Sequence, residues 1–228
     1  AGKDGTIKHV MSGVNPQGCS VTSFKAPSEE DRAHHFLWRP ARFLPGRGKI
    51  AIFNRSYYEE VLVVRGHPEF LDSQWLPPDS PEPGSDKFWR RRFDEINDLE
   101  SELVEGGTLI LKFFLNVSCE EQRDRFIARL TDQSKQWKFS PTDYRERAHW
   151  NEYMAAYEEM LAATSTKRAP WYVIPADHKW FMRACVADVI AARIRELDLQ
   201  YPKVKKERLA EFEEIREKLE METKRRAG

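Results

Sequence analysis

The sequence predicts an α/β fold in which a parallel sheet is covered by helices on both faces. Three features carry that prediction: short, near-continuous apolar runs, amphipathic segments that alternate with them, and helix-capping residues at the joints.

The runs Ile50-Ala51-Ile52-Phe53, Thr108 to Val117 and Trp171-Tyr172-Val173-Ile174 read as buried strands, and Ser20 to Lys25 as a weaker one. Between them, Ser28 and Asp31 form a capping-box pattern that opens a helix towards Arg42, shortened or kinked at Pro40. Asp86 to Glu105 is amphipathic and stops at Gly106-Gly107. Ser118 and Glu121 open a helix to about Leu130. Ser140-Pro141-Thr142-Asp143 combines an N-cap, a proline at the first helical position and a capping acid, so a helix runs from there towards Ala163. Residues 178 to 197 give one more helix. The proline-rich stretch from 71 to 86 is a surface loop. Residues 1–202 read as one domain, and 203–228 as a charged helical tail suited to loose packing or association.

Hydrophobic residues make up 40% and aromatics 12%, which excludes disorder for most of the chain. No apolar run approaches the ~18 residues of a membrane span. Cys19, Cys119 and Cys185 are widely spaced, with no C-x-x-C and no H-E-x-x-H, so neither a disulfide framework nor a structural zinc site is expected. A reducing cytoplasm is the expected compartment.

Lys and Arg total 37, as do Asp and Glu, so the net charge names no partner and nucleic acid is not expected. The distribution is uneven: residues 1 to 58 carry nine bases against four acids, and residues 94 to 105 carry six acids and no base. A basic patch in a neutral protein suggests a local polyanion site, although charge alone favours an ordinary solvated surface.

Two local patterns carry chemistry. Gly2-Lys3-Asp4-Gly5-Thr6 opens a helical stretch, as the end of a phosphate-binding loop does. Glycine lets backbone N–H groups approach phosphate oxygens, the helix start adds positive partial charge, and lysine reaches the outer phosphates. A G-K pair alone is too common to carry this and reads first as a free surface lysine. Asn54-Arg55-Ser56-Tyr57-Tyr58-Glu59 follows directly on the strand ending at Phe53, the end of a parallel strand where ligands bind in open α/β sheets. The other reading is a loop whose Arg55 faces water.

These patterns resemble the polyphosphate kinase 2 family. Its first loop reads G-x-D-x-x-G-K-x-G, matched at its end by Gly2-Lys3-Asp4-Gly5, and D-R-S follows its second strand, matched by Asn54-Arg55-Ser56 with Asn for Asp. Thr6-Ile7-Lys8, Gly13-Val14-Asn15-Pro16, Trp137-Lys138-Phe139, Ala169 to Ala176 and Gln200-Tyr201-Pro202 extend the likeness, in order, over residues 1 to about 202. The stretch from Phe53 to Arg65 is similar to the class III branch.

The resemblance implies a P-loop kinase-like three-layer fold with a parallel sheet and a helical lid at about 123–147. It implies transfer of a phosphoryl group between inorganic polyphosphate and AMP or ADP, with Mg²⁺ (or Mn²⁺) as cofactor. Partners are adenine nucleotides, with guanine nucleotides left open, and further copies of the chain. Lys3 and Arg55 take the catalytic roles, and Gly2, Asp4, Gly5 and Thr6 cradle phosphate. Lys8, Lys25, Arg39 and Arg42 form a polyphosphate track, with Arg32 extending the row. Asn54, Ser56 and Glu59 belong to the second loop. Arg129, Lys138 and Asp143 belong to the lid, with Arg123, Lys135 and Arg145 as further lid bases. Without the resemblance, residues 123–147 equally read as two solvated amphipathic helices. His34 and His35 are expected on a helix surface. The strand and loop half that precede G-K in the family, including an aspartate that would hold metal, are expected before Ala1. Two alternatives stand beside this reading: an ATP-dependent nucleoside monophosphate kinase, and a non-catalytic polyanion-binding protein.

Overall fold

The structure, a computed structural model, describes residues 2–137 and 139–226. It is a mixed helix-and-sheet protein with parallel strands. The elements in chain order are α1 (Lys3–Val10), β1 (Cys19–Ser23), α2 (Glu29–Ala33), α3 (Trp38–Ala41), β2 (Ile50–Asn54), α4 (Glu59–Gly66) and α5 (Asp86–Glu105). Then come β3 (Lys112–Asn116), α6 (Cys119–Thr131), α7 (Gln133–Gln136), α8 (Pro141–Glu146), α9 (Trp150–Thr164), β4 (Trp171–Pro175), α10 (Lys179–Arg195) and α11 (Lys206–Arg226). Contacts divide the chain into two compact units, Ala1–Val189 and Ile190–Gly228. No described helix is long and apolar enough to cross a membrane.

β1 pairs with β2 in parallel, Cys19 opposite Ile50 and Ser23 opposite Asn54. β3 pairs with β4 in parallel, Lys112 opposite Trp171 and Asn116 opposite Pro175. Parallel pairing places Ser23 and Asn54 at one strand end, and Asn116 and Pro175 at another. The loops that leave these carboxyl ends carry the polar groups described below.

Local sequence chemistry explains the element ends. Ser28 Oγ accepts from the Asp31 N–H at 3.1 Å and Asp31 Oδ2 accepts from the Ser28 N–H at 2.9 Å, the reciprocal capping box. α5 closes with Gly107 at φ 89°, its N–H bonded to the Val104 carbonyl and the Thr108 N–H to the Leu103 carbonyl. Only glycine takes that left-handed turn without strain.

Three expectations are corrected. The single helix from Ser28 to Arg42 is two short ones, because the backbone at His34 is extended (φ −110°, ψ 166°). Arg32 therefore does not share a helical row with Arg39 and Arg42, and His34 and His35 lie in the turn between α2 and α3. The helix starting at Ser140 breaks after Glu146 into a 3₁₀ turn, Arg147–His149, before α9 begins. The strand expected from Thr108 starts at Lys112, opposite the first residue of its five-residue partner.

α4, α5 and α9 pack together around Val61, Leu62, Phe93, Ile96, Ala156 and Met160. Beneath them, Lys112 Nζ lies 2.6 Å from Glu100 Oε2 and donates to the Thr164 carbonyl at 2.7 Å. Tyr57 and Tyr58 donate their hydroxyls to Glu100 Oε1 at 2.7 and 2.8 Å. Burial lowers the pKa of Lys112, and Glu100 opposes that shift. This buried polar knot ties the loop after β2 to the body of the fold, because both tyrosines lie just beyond Arg55.

Candidate functional site

The start of α1 and the loop after β2 meet. Gly2 precedes α1 at φ 103°, a left-handed backbone that favours glycine, and a Cβ there would stand 3.0 Å from Arg125 Nη1. Thr6 N–H bonds the Gly2 carbonyl at 3.1 Å and closes the first turn. The backbone N–H groups of Lys3, Asp4 and Gly5 precede the first intrahelical bond, so the helix start presents donors.

Asn54, the last residue of β2, donates from Nδ2 to Asp4 Oδ1 at 2.9 Å. Lys3 Nζ lies 3.7 Å from the same oxygen. Arg55 follows at φ 65°, a left-handed backbone unusual for a non-glycine residue, with Nη1 3.8 Å from Glu59 Oε2. Burial raises the pKa of Glu59, while Arg55 and Lys3 pull it down. Ser56 holds the turn, its carbonyl accepting from the Glu59 N–H and its Oγ from the Tyr58 N–H. Lys3, Asp4, Asn54, Arg55 and Glu59 thus form one cluster from residues about fifty positions apart. Strain of this kind at Arg55 is held by the tyrosines anchored on Glu100.

Other expected site residues fall differently. Thr6 is buried, its Oγ1 donating to the Gly2 carbonyl and packing on Met182 Sδ at 3.7 Å. Lys8 and Lys25 are exposed. Arg39 donates to the Lys25 carbonyl at 2.8 Å, lies 3.4 Å from Asp31 and covers the Phe24 ring. Arg42 lies over the Trp38 ring at 4.7 Å. In α6 and α8, Arg129 Nη1 and Asp143 Oδ2 are 3.7 Å apart. Lys138 lies outside the described residues.

Arg125 was missed. It donates to Glu121 at 2.7 Å and to the carbonyls of Ala176, at 2.5 Å, and Asp177, at 3.1 Å, which bridges α6 to the carboxyl end of β4 beside Gly2. The one sequence signal was its placement four residues after Glu121, on the face that turns towards the neighbouring strand end.

No group of three His, Cys, Asp or Glu side chains among the described residues could hold a metal ion. Asn54 Oδ1 is buried and has no hydrogen-bond partner, and the Asp4 carboxylate is adjacent. Both are hard oxygen donors of the kind that suits Mg²⁺, which takes most of its ligands from water and phosphate oxygens rather than from a protein cage.

The family model described as Polyphosphate kinase 2 matches residues 1–205. The chain belongs to the polyphosphate kinase 2 family. Within this family it is similar to the ADP-polyphosphate phosphotransferase of Rhodopseudomonas palustris, with 49% identity over 96% of this chain and 75% of that protein. It is similar to the AMP/ADP-polyphosphate phosphotransferase of Meiothermus ruber, with 42% identity over 88% of this chain and 70% of that protein. Among solved structures, the polyphosphate kinase 2 of Arthrobacter aurescens TC1 superposes with a TM-score of 0.85 and 41% identity, covering 95% of this chain and 71% of that one.

Proposed function

We propose that this polyphosphate kinase 2 family member is an enzyme that transfers a phosphoryl group between inorganic polyphosphate and AMP or ADP. The observation that carries the reading is the meeting of the α1 start with the loop after β2, through Asn54 and Asp4. We read the fold as P-loop kinase-like, with Gly2 to Thr6 as the end of the phosphate loop and residues 123–147 as a lid. Relatives named for ADP and for AMP/ADP as acceptors support both nucleotides.

Phosphoryl transfer demands in-line positioning and neutralisation of the moving group. The N–H groups of Lys3, Asp4 and Gly5 face the phosphates, and Lys3 supplies a compact charge. Arg55, held at the strand end, offers a planar fork to the equatorial oxygens of the transferring group. Asn54 Oδ1 and Asp4 would hold Mg²⁺, which when bound neutralises phosphate charge. No general base is needed, because the acceptor is itself a phosphate oxyanion. α6 and α8, linked by Arg129 and Asp143, close over the phosphates and exclude water, which suppresses hydrolysis.

The test supplies Mg²⁺, long-chain polyphosphate and ADP, with no nucleoside triphosphate, and follows nucleotides by chromatography. ATP should appear; with AMP instead, ADP should appear first and ATP later. If ADP stays unchanged while ATP plus AMP gives ADP, the protein is an ATP-dependent monophosphate kinase instead.

A further inference from the structure

We propose that Arg183 is a phosphate-binding residue of this site, reaching it from α10. The proposal rests on the functional reading above and adds a group that no sequence motif marks.

Met182 fixes the geometry. It is buried at 1% exposure against the Thr6 hydroxyl, so the first turn of α10 is pinned against the first turn of α1. The next residue, Arg183, places Nη2 3.6 Å from where a Cβ on Gly5 would stand. Its guanidinium therefore flanks the start of α1 at Gly5 as that of Arg125 does at Gly2.

The two arginines differ in what satisfies them. Arg125 donates to Glu121 and to two carbonyl oxygens. Among the described residues Arg183 has no hydrogen-bond or ion-pair partner for its side chain, and its Nε is buried without one. Other arginines with a buried unpaired nitrogen, such as Arg65 and Arg92, still meet carboxylates, Glu159 and Glu95 respectively.

A partly buried cation is costly without an anion. Here it also lies beside the start of α1, whose free N–H groups favour an anion rather than a cation. A polyphosphoryl oxyanion laid on the α1 start relieves all of these at once. That ligand could be the inorganic chain or the diphosphate of the nucleotide.

The experiment compares the wild type with Arg183→Ala and Arg183→Lys in thermal unfolding, with and without tripolyphosphate or ADP, and in turnover. Arg183→Ala should leave the ligand-free melting temperature unchanged or raise it, because it removes an uncompensated charge. It should weaken binding roughly ten- to hundred-fold, the effect of losing a hydrogen bond to a charged group. Loss with tripolyphosphate assigns the residue to the inorganic chain, and loss with ADP assigns it to the nucleotide; either supports phosphate binding. Arg183→Lys should restore part of the binding as a point charge. Ligand-induced stabilisation that survives intact in Arg183→Ala overturns the proposal. So does a lowered ligand-free melting temperature with no recovery of binding in Arg183→Lys. If the wild type responds to neither ligand and shows no turnover, the functional reading itself fails together with this inference.

Discussion

Asn54 and Asp4 are joined by a 2.9 Å hydrogen bond across the junction of β2 and α1, and the oxygen of the same amide is buried without a partner. Both facts follow from asparagine standing where the family pattern has aspartate. A carboxylate there would face Asp4 with like charge, whereas the amide donates one bond and leaves its oxygen unpartnered.

Asn54→Asp tests this. In chelator the variant should be destabilised by about 1 kcal/mol, since it loses the bond and gains repulsion. Adding Mg²⁺ should recover that loss, and the Mg²⁺ concentration for half-maximal activity should fall several-fold. A Mg²⁺ dependence identical to the wild type would show that position 54 does not touch metal.

Lys112→Met removes one partner of the buried Glu100 pair and leaves its carboxylate uncompensated. The loss should be about 3–5 kcal/mol in denaturant unfolding. Adding Glu100→Gln should return part of it, which would identify unpaired charge, not lost packing, as the cause.

Three of the strands were legible because their runs carry little but apolar residues, and capping residues marked the starts of α2, α6 and α8. The break at His34 was not legible, because the apolar and basic pattern continues through it and only the backbone conformation interrupts it. The Lys112–Glu100 knot was hidden for a similar reason: a lysine opening a strand and an acid in a charged helix read as surface residues. At the site, the two loops were legible from their motifs. Arg125 and Arg183 were not, since each reaches α1 from an element more than one hundred residues away, and only the packing of α6 and α10 brings them there.

His67 joins the end of α4 to α8, its Nε2 3.0 Å from Glu146 Oε2 and its Nδ1 3.2 Å from Glu69 Oε1. The Glu146 bond raises the His67 pKa against the opposing effect of burial, and His67 with Tyr153 lowers that of Glu146. A raised histidine stabilises the fold fully below its ordinary value of about 6.5 and loses that contribution as pH rises through the raised value. A lowered glutamate loses its contribution as pH falls through the lowered value. The pair is therefore strongest between those two limits. Unfolding free energy of the wild type should fall between pH 6 and pH 9 by more than that of His67→Gln. Parallel curves would mean that the pair carries no stability.

Arg39 and Arg42, three residues apart, should separate into a structural and a binding role. Burial would raise the Asp31 pKa, but the Ser28 hydrogen bonds, Arg39 and Arg42 together hold it below the ordinary carboxylate value. Arg39 is the more committed of the two: its guanidinium bonds the Lys25 carbonyl, meets Asp31 and covers Phe24. Arg42 makes only the stacking contact with Trp38 among these, and its side chain stays open to solvent. Arg39→Ala should cost about 1–2 kcal/mol, the sum of a hydrogen bond and a partly exposed ion pair. Arg42→Ala should leave stability nearly unchanged and raise the KM for long polyphosphate more than for ADP, with a smaller effect as the chain shortens. Equal effects on both substrates would remove Arg42 from the track. A stable Arg39→Ala variant with weakened polyphosphate binding would return Arg39 to it, and the contacts with Asp31 and Lys25 would then serve only to aim the guanidinium.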